Sequence, residues 1–256
     1  MSERELDMTV RVRLLTCGWL EGSLSMLMVG GEGRVRLPIP SVLVEHPKGS
    51  AVFDTGFHAS LAHDTSRLRS SNDLFDVFMG ADDALAPQLR SFDVDPAGVD
   101  FVINSHLHFD HCGGNEALPN ATLLVQDPEW KAGHVDKLIA HDVYNPADFD
   151  LGQPLQLLQG EHDVFGDGSV RCVPTYGHTA GHQSLVVRTD NHEYVFCGDT
   201  CYFRETLENN ALPGFGYDLA AQARTLDWLR EMQGAGAQLV FGHDPNQWPT
   251  LGPELT

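Results

Sequence analysis

Basic residues are scarce in this chain. Sixteen Lys and Arg stand against 36 Asp and Glu, a formal net charge of −20. A nucleic-acid partner wants a basic face, so no nucleic acid is expected, and an anionic membrane surface is disfavoured for the same reason. Long hydrophobic runs are also missing. No apolar stretch approaches the roughly 18 residues that a membrane helix needs. The opening MSERELDMTVRVRLL lacks the apolar segment and small-residue cleavage site of a signal peptide, which makes the cytoplasm the expected location. Cysteine is sparse: Cys17, Cys112, Cys172, Cys197 and Cys201, an odd number with no CxxC pair. That excludes a disulfide framework and a thiolate zinc site. The five are expected to be reduced and packed as small apolar residues.

What is present is a strand-rich pattern with enough apolar residues, 42%, for a sizeable core. Strand-like segments open the chain at VRVRLLTC (10–17), SLSMLMV (23–29), SVLVEH (41–46) and SAVFDT (50–55). The turn signal PKG at 47–49 joins the last two as a hairpin. A helix is expected near ALAPQLRSF, and DFVIN (100–104) and TLLVQ (122–126) read as short strands. The second half adds LQLL (155–158), SVRCVP (169–174), SLVVRT (184–189) and EYVFCG (193–198). A helix over 217–233 follows, with Leu219, Ala223, Leu226 and Leu229 on one face. QLVFGH (238–243) closes the fold as a last strand. The order predicts an α+β chain: two β-sheets packed together with helices outside.

The chemistry is concentrated in SHLHFDHCGGN at 105–115. Neutral imidazoles and ionised carboxylates are the donors that zinc-like divalent ions prefer. His106 and His108 alternate like strand residues and can share one ion. Asp110 and His111 follow on a turn and can reach a second. Gly113 and Gly114 would let that turn fold sharply and bring backbone close. Further donors stand at predicted strand ends beside glycines: His178 in TYGHTAGH, Asp199 in VFCGDT and His243 in LVFGHD. His182, four residues beyond His178, reads as a supporting residue. The remaining histidines, His46, His58, His63, His134, His141, His162 and His192, are expected on the surface.

This H-x-H-x-D-H motif, with the later His, Asp and His, resembles the metallo-β-lactamase superfamily. The resemblance runs from DTG at 54–56 to GHD at 242–244, so residues 1–256 are expected as a single domain with that family's αββα sandwich. SHLHFDHCGGN, GHTAGHQSLVV, GDTCY and GHDPNQW are most similar to the N-acyl homoserine lactone lactonases and to their γ-butyrolactone and 4-pyridoxolactone relatives. The resemblance implies two divalent ions per chain, zinc first, with manganese, iron or cobalt as alternatives. It implies one ion on His106, His108 and His178, the other on Asp110, His111 and His243, and Asp199 bridging both. In that family a tyrosine three residues past the bridging aspartate contacts substrate, which here is Tyr202. Phe109 matches a position near the lactone ring. A homodimer is expected from the resemblance alone.

The implied activity is hydrolysis of a lactone, chiefly N-acyl homoserine lactones as in quorum quenching, by a hydroxide that the two ions supply. Tyr202 would stabilise the oxyanion, and Asp110 would carry a proton to the leaving oxygen. Pocket walls are expected from 17–30, 57–80 and 130–150, with Trp19, Leu20, Met26, Phe57 and Phe215 as apolar candidates. Residues 57–80 are either a cap or an oligomer contact. The alternatives are a hydrolase of another small lactone and a glyoxalase II-like thioesterase. The thioesterase normally carries basic C-terminal helices for glutathione, and the stretch after His243 has no Lys or Arg.

Overall fold

The computed structural model describes residues 9–255. The first sheet takes β1 (Arg11–Ser23), β2 (Arg34–His46), β3 (Gly49–Phe53), β4 (Asp76–Phe78), β5 (Phe101–Ile103), β6 (Thr122–Gln126) and β7 (Leu155–Leu158). The second takes β8 (His162–Asp163), β9 (Val170–Pro174), β10 (Gln183–Arg188), β11 (Glu193–Phe196) and β12 (Gln238–Val240). A final strand, β13 (Glu254–Leu255), returns to pair with β1 in the first sheet. In the first sheet β1, β2 and β3 are antiparallel, and β3, β5, β6 and β7 run parallel. The second has order β12-β11-β10-β9-β8, parallel only between β11 and β12.

Burial explains the sequence pattern. The parallel strands AVF, FVI and LLV are covered on both faces, so they read as continuous apolar runs rather than as alternation. One face of the first sheet, through Val12, Val44, Phe53 and Ile103, meets Cys172, Leu185, Val187 and Phe196 of the second. Its other face packs Leu43, Val52 and Val102 under Leu85 and Leu89 of the helix Leu85–Arg90. The outer face of the second sheet, Val186 and Val195, packs against Leu226 and Leu229 of the helix Leu219–Gly234. The layers are the expected αββα sandwich.

Three local expectations are corrected. Residues 23–29 do not form a strand of their own: β1 runs on to Ser23, and Leu24–Leu27 is a helical turn. β2 already pairs with β1 as far as Ser23↔Arg34, so the intervening chain has to reverse and finds no strand partner. β2 itself starts at Arg34, and its prolines Pro38 and Pro40 sit opposite a β-bulge between Thr16 and Trp19. A bulge spares the ladder the N–H groups that proline lacks. On the long helix Leu219 is 38% exposed, and Gln222 takes the buried position on that face. Nor are all the unassigned histidines on the surface. The His46 ring stacks on Phe165 with centroids 4.1 Å apart, and His58 lies 3.0 Å from Glu116.

Candidate metal centre

The topology gathers the donors at one edge. β3 and β5 are parallel, so their C-terminal ends bring Asp54 beside Ser105 and His106. β11 and β12 are also parallel, so Asp199 and His243, just past their ends, lie together. Ligands collect outside the carboxyl ends of such strands. His178 lies on the loop from β9 to β10. That loop is tied across by the Gln183 N–H, which donates to Ser105 O at 2.8 Å. Asp110 and His111 sit on the single helical turn Phe109–Cys112.

Gly113 and Gly114 act by close approach rather than by unusual dihedrals. A Cβ on Gly113 would meet Phe109 O at 2.4 Å and His58 N at 2.5 Å, and one on Gly114 would meet Thr55 O at 2.3 Å. Only glycine lets the turn carrying Asp110 and His111 press so closely on the strand end.

All seven donors meet in two groups. One donor atom from each of His106, His108, His178 and Asp199 lies within 4.8 Å of the others, and Asp110, His111 and His243 form a second such group. His106 Nε2 is 2.9 Å from His108 Nδ1, and His178 Nε2 is 3.2 Å from the same atom. Asp199 spans the groups. Its Oδ2 faces His178 Nε2 at 3.3 Å, and its Oδ1 faces His243 Nε2 at 2.9 Å and His111 Nε2 at 3.2 Å.

Surrounding groups aim the rings. Asp54 Oδ2 accepts from His111 Nδ1 at 2.8 Å, and Pro38 O accepts from His243 Nδ1 at 2.9 Å. Ser105 Oγ donates to Asp54 Oδ2 and so accepts from His106 Nδ1, 2.9 Å away. Each acceptor holds a proton on the far nitrogen and so turns Nε2 toward the cluster. His111 Nε2 is buried and makes no hydrogen bond. That nitrogen faces Asp110 and Asp199, which favour positive charge there, and a divalent cation in place of a second ring proton would satisfy it. The donor types and the orphaned nitrogen both fit a pair of divalent ions.

The electrostatics divide the rings. Burial, reinforced by neighbouring imidazoles, holds His106 well below the usual histidine value. Burial likewise holds His178 well below it, and His108 is lowered. Burial also pulls on His111, but Asp199, Asp110 and Asp54 outweigh it and hold that ring well above its usual value. His243 is raised by Asp199 in the same way. Burial alone would raise Asp199, yet His111 and His243 keep it well below the carboxylate range.

His182 holds a supporting place: its Nε2 accepts the Asp199 N–H at 3.0 Å, and its Nδ1 meets Thr175 Oγ1 at 2.8 Å. Burial pushes it down to about 3.

A cavity of about 490 Å³ opens on the cluster. Its walls are mainly apolar and include Leu20, Met26, Phe109, Leu138, Tyr202 and Phe215. Tyr202 is buried, with its hydroxyl 3.5 Å from His178 Nδ1. Of the expected wall residues, Leu20, Met26 and Phe215 are there; Trp19 and Phe57 are not. Trp19 is taken up in β1, opposite Phe78 of β4. Phe57 is fully buried behind Phe109, their rings stacked at 5.9 Å. Ser70, Ser71, Leu74 and Phe75 line the cavity, so part of the 57–80 segment walls it.

Three buried polar residues escaped the sequence reading. Asp54 takes up a φ of 54° and holds both Ser105 and His111. Gln222 donates to Asp199 O and Thr200 O, fixing the backbone of the bridging residue. Glu129 reaches the first group through backbone amides. For Gln222 a signal existed: a glutamine on the same helix face as Leu226 and Leu229.

Known proteins resemble this chain in sequence and in fold. The family model of the metallo-beta-lactamase superfamily matches residues 34–243. The N-acyl homoserine lactonase AttM of Azorhizobium caulinodans is 32% identical, over 94% of this chain and 96% of that protein. The crystal structure of a quorum-quenching N-acyl homoserine lactone lactonase superposes with a TM-score of 0.82 at 26% identity, covering 96% of this chain and 97% of that one. An N-acyl homoserine lactone hydrolase, solved with N-hexanoyl-L-homoserine bound at its catalytic metal centre, shares the fold at a TM-score of 0.84 and 24% identity, over 94% and 96% of the two chains. Similarity of this extent, in sequence and in fold, means that the chain belongs to the metallo-beta-lactamase superfamily.

Proposed function

We propose that this protein is a metal-dependent lactonase that opens the ring of N-acyl homoserine lactones. The observation that carries this reading is the apolar cavity ending on the Asp199 cluster, with Tyr202 in its wall. An acyl chain needs an apolar channel, and its lactone has to reach the donors. A volume of about 490 Å³ lies within the range of small-molecule sites. The AttM relative carries the same activity in its name.

In this reading His106, His108 and His178 would hold one ion and Asp110, His111 and His243 the other, with Asp199 reaching both groups. Zinc is the first choice, since imidazole and carboxylate suit it. When bound, the two ions supply a hydroxide near neutral pH and Lewis acidity at the carbonyl. The chain does the rest. Phe109, backed by Phe57, gives the lactone ring a flat apolar surface. Burial, with Asp199 and Asp110 nearby, holds the Tyr202 phenol well above its usual value. It therefore stays protonated and can donate to the carbonyl oxygen as charge develops there. Asp110, held below the usual carboxylate range by His111 despite its burial, can take a proton and pass it to the leaving ring oxygen.

A cytoplasmic site of action belongs to this reading. All five cysteines are free and buried, and burial pushes the Cys17 thiol up to about 12. Unpaired thiols suit a reducing compartment.

A second reading keeps the chemistry and changes the substrate to a smaller lactone or a glutathione thioester. Among the described residues the cavity lining contains no Lys or Arg to meet glutathione carboxylates, which favours the acyl lactone. The test is steady-state hydrolysis by zinc-loaded protein across acyl homoserine lactones of several chain lengths, γ-butyrolactone, 4-pyridoxolactone and a lactoyl thioester. The highest kcat/KM should fall on an acyl homoserine lactone. Turnover of the thioester alone would overturn the proposal.

A further inference from the structure

We infer that Glu129 is a positioning residue that tunes metal affinity at the His106–His108–His178 group. The inference rests on the two-ion reading above and deepens it. Glu129 lies on the helix Asp127–Gly133 and is fully buried. Its Oε1 accepts the Leu107 N–H at 3.1 Å and the Tyr144 O–H at 3.0 Å. Its Oε2 accepts the Gly181 N–H at 2.9 Å. Three donors and no acceptor are the surroundings of a carboxylate, not of a protonated acid.

The placement of those donors carries the argument. Leu107 is the residue between His106 and His108. Gly181 lies three residues past His178, on the same loop. One carboxylate therefore grips the backbone of both segments that bring the first three imidazoles together. On the other side of His106, the Ser105 N–H is gripped by Asp54 Oδ1 at 2.7 Å. His106 thus stands between two amides held by carboxylates from opposite directions. The fit around Glu129 is close, because a Cβ on Gly181 would come within 2.3 Å of Glu129 N. All three partners of Glu129 are neutral, and an ion in the adjacent His group would add the opposite charge that they do not carry. Tyr144 extends the link to substrate, since it lines the cavity and its ring lies 5.5 Å from that of His108.

A neutral amide at this position cannot satisfy the set. Whichever way Glu129→Gln turns, its NH₂ faces an N–H donor. The experiment is stepwise Co(II) titration of chelated protein, read by visible absorption and by competition with a chromophoric chelator. Wild type should show two binding steps. In Glu129→Gln one step should weaken roughly 10- to 100-fold and its absorption band should shift, while the other step keeps its affinity. Tyr144→Phe, which removes one donor and no backbone contact, should weaken the same step about threefold. If Glu129→Gln does not fold, Tyr144→Phe decides alone. Two unchanged steps, or equal weakening of both, would overturn the inference, since general loosening has no preference between ions. A wild-type chain that binds fewer than two ions would remove the two-ion reading itself, and this inference with it.

Discussion

Replacing Asp54 by Asn isolates one physical effect, the tautomer of His111. Asn tolerates the left-handed φ of 54° as Asp does, so the backbone stays unstrained. The size of the side chain is unchanged. What changes is that one of two acceptor oxygens becomes a donor. Asp54 now accepts from the Ser105 N–H at 2.7 Å, the Ser105 hydroxyl at 2.8 Å and His111 Nδ1 at 2.8 Å. If the Asn oxygen stays with the Ser105 amide, its NH₂ faces His111 Nδ1. That nitrogen must then accept, the ring proton moves to Nε2, and the lone pair aimed at Asp110 and Asp199 is lost. The opposite orientation sets NH₂ against the Ser105 amide, which costs about 1–3 kcal/mol for a buried unpaired donor. The tautomer change should therefore dominate. Loss of such a supporting partner lowers metal affinity about 10- to 100-fold, or roughly 1.4–2.7 kcal/mol. Competition with a chromophoric chelator measures the affinity, and ¹⁵N NMR of the imidazoles reads the tautomer. Asp54→Asn that binds both ions within a factor of about two of wild type, with Nδ1 of His111 still protonated, would show that Asp54 does not set the tautomer.

Other perturbations address other links. Tyr202→Phe should keep two ions and lower kcat roughly 10²-fold, as expected for one lost oxyanion donor, measured by steady-state kinetics with metal analysis. Phe57→Ala should destabilise by about 3–5 kcal/mol in denaturant titration, because the cavity it leaves lies behind Phe109 in a closed core. Arg67→Ala strands the buried Asp148, whose Oδ1 lies 2.9 Å from Arg67 Nε, at a cost of about 1–3 kcal/mol near neutral pH. Burial already raises the Asp148 pKa against the pull of Arg67. A carboxylate raised in the folded state loses stability as pH rises through its folded value. Removing Arg67 raises it further, so the gap in Tm between variant and wild type should be wider at about pH 7.5 than at about pH 4.5.

The seven residues that meet in the cluster are legible as candidates because of where they stand: four in one short motif after a strand, and three at later strand ends beside glycines. The parallel pairs β3–β5 and β11–β12 then bring these ends together. The supporting carboxylates were not legible, for a reason of distance. Asp54 is 57 residues from the ring it orients. Nothing in its neighbourhood distinguishes it from a turn aspartate until β3 is laid beside β5. Glu129 reads as an ordinary first-turn helix acid, and only the packed fold shows it facing inward. The strand at 34–40 was hidden by its two prolines, which a bulge in β1 accommodates. Phe57 was named as a wall because it is apolar and near the site, and periodicity cannot separate a wall from the layer behind it.

Acid release on adding N-hexanoyl homoserine lactone to zinc-loaded protein, repeated after chelation and after reloading, reports whether bound metal opens the ring. Ring opening should vanish with the metal and return with two ions per chain. Ring opening that persists in fully chelated protein, or none at all from the fully loaded protein, would contradict metal-dependent lactonase activity.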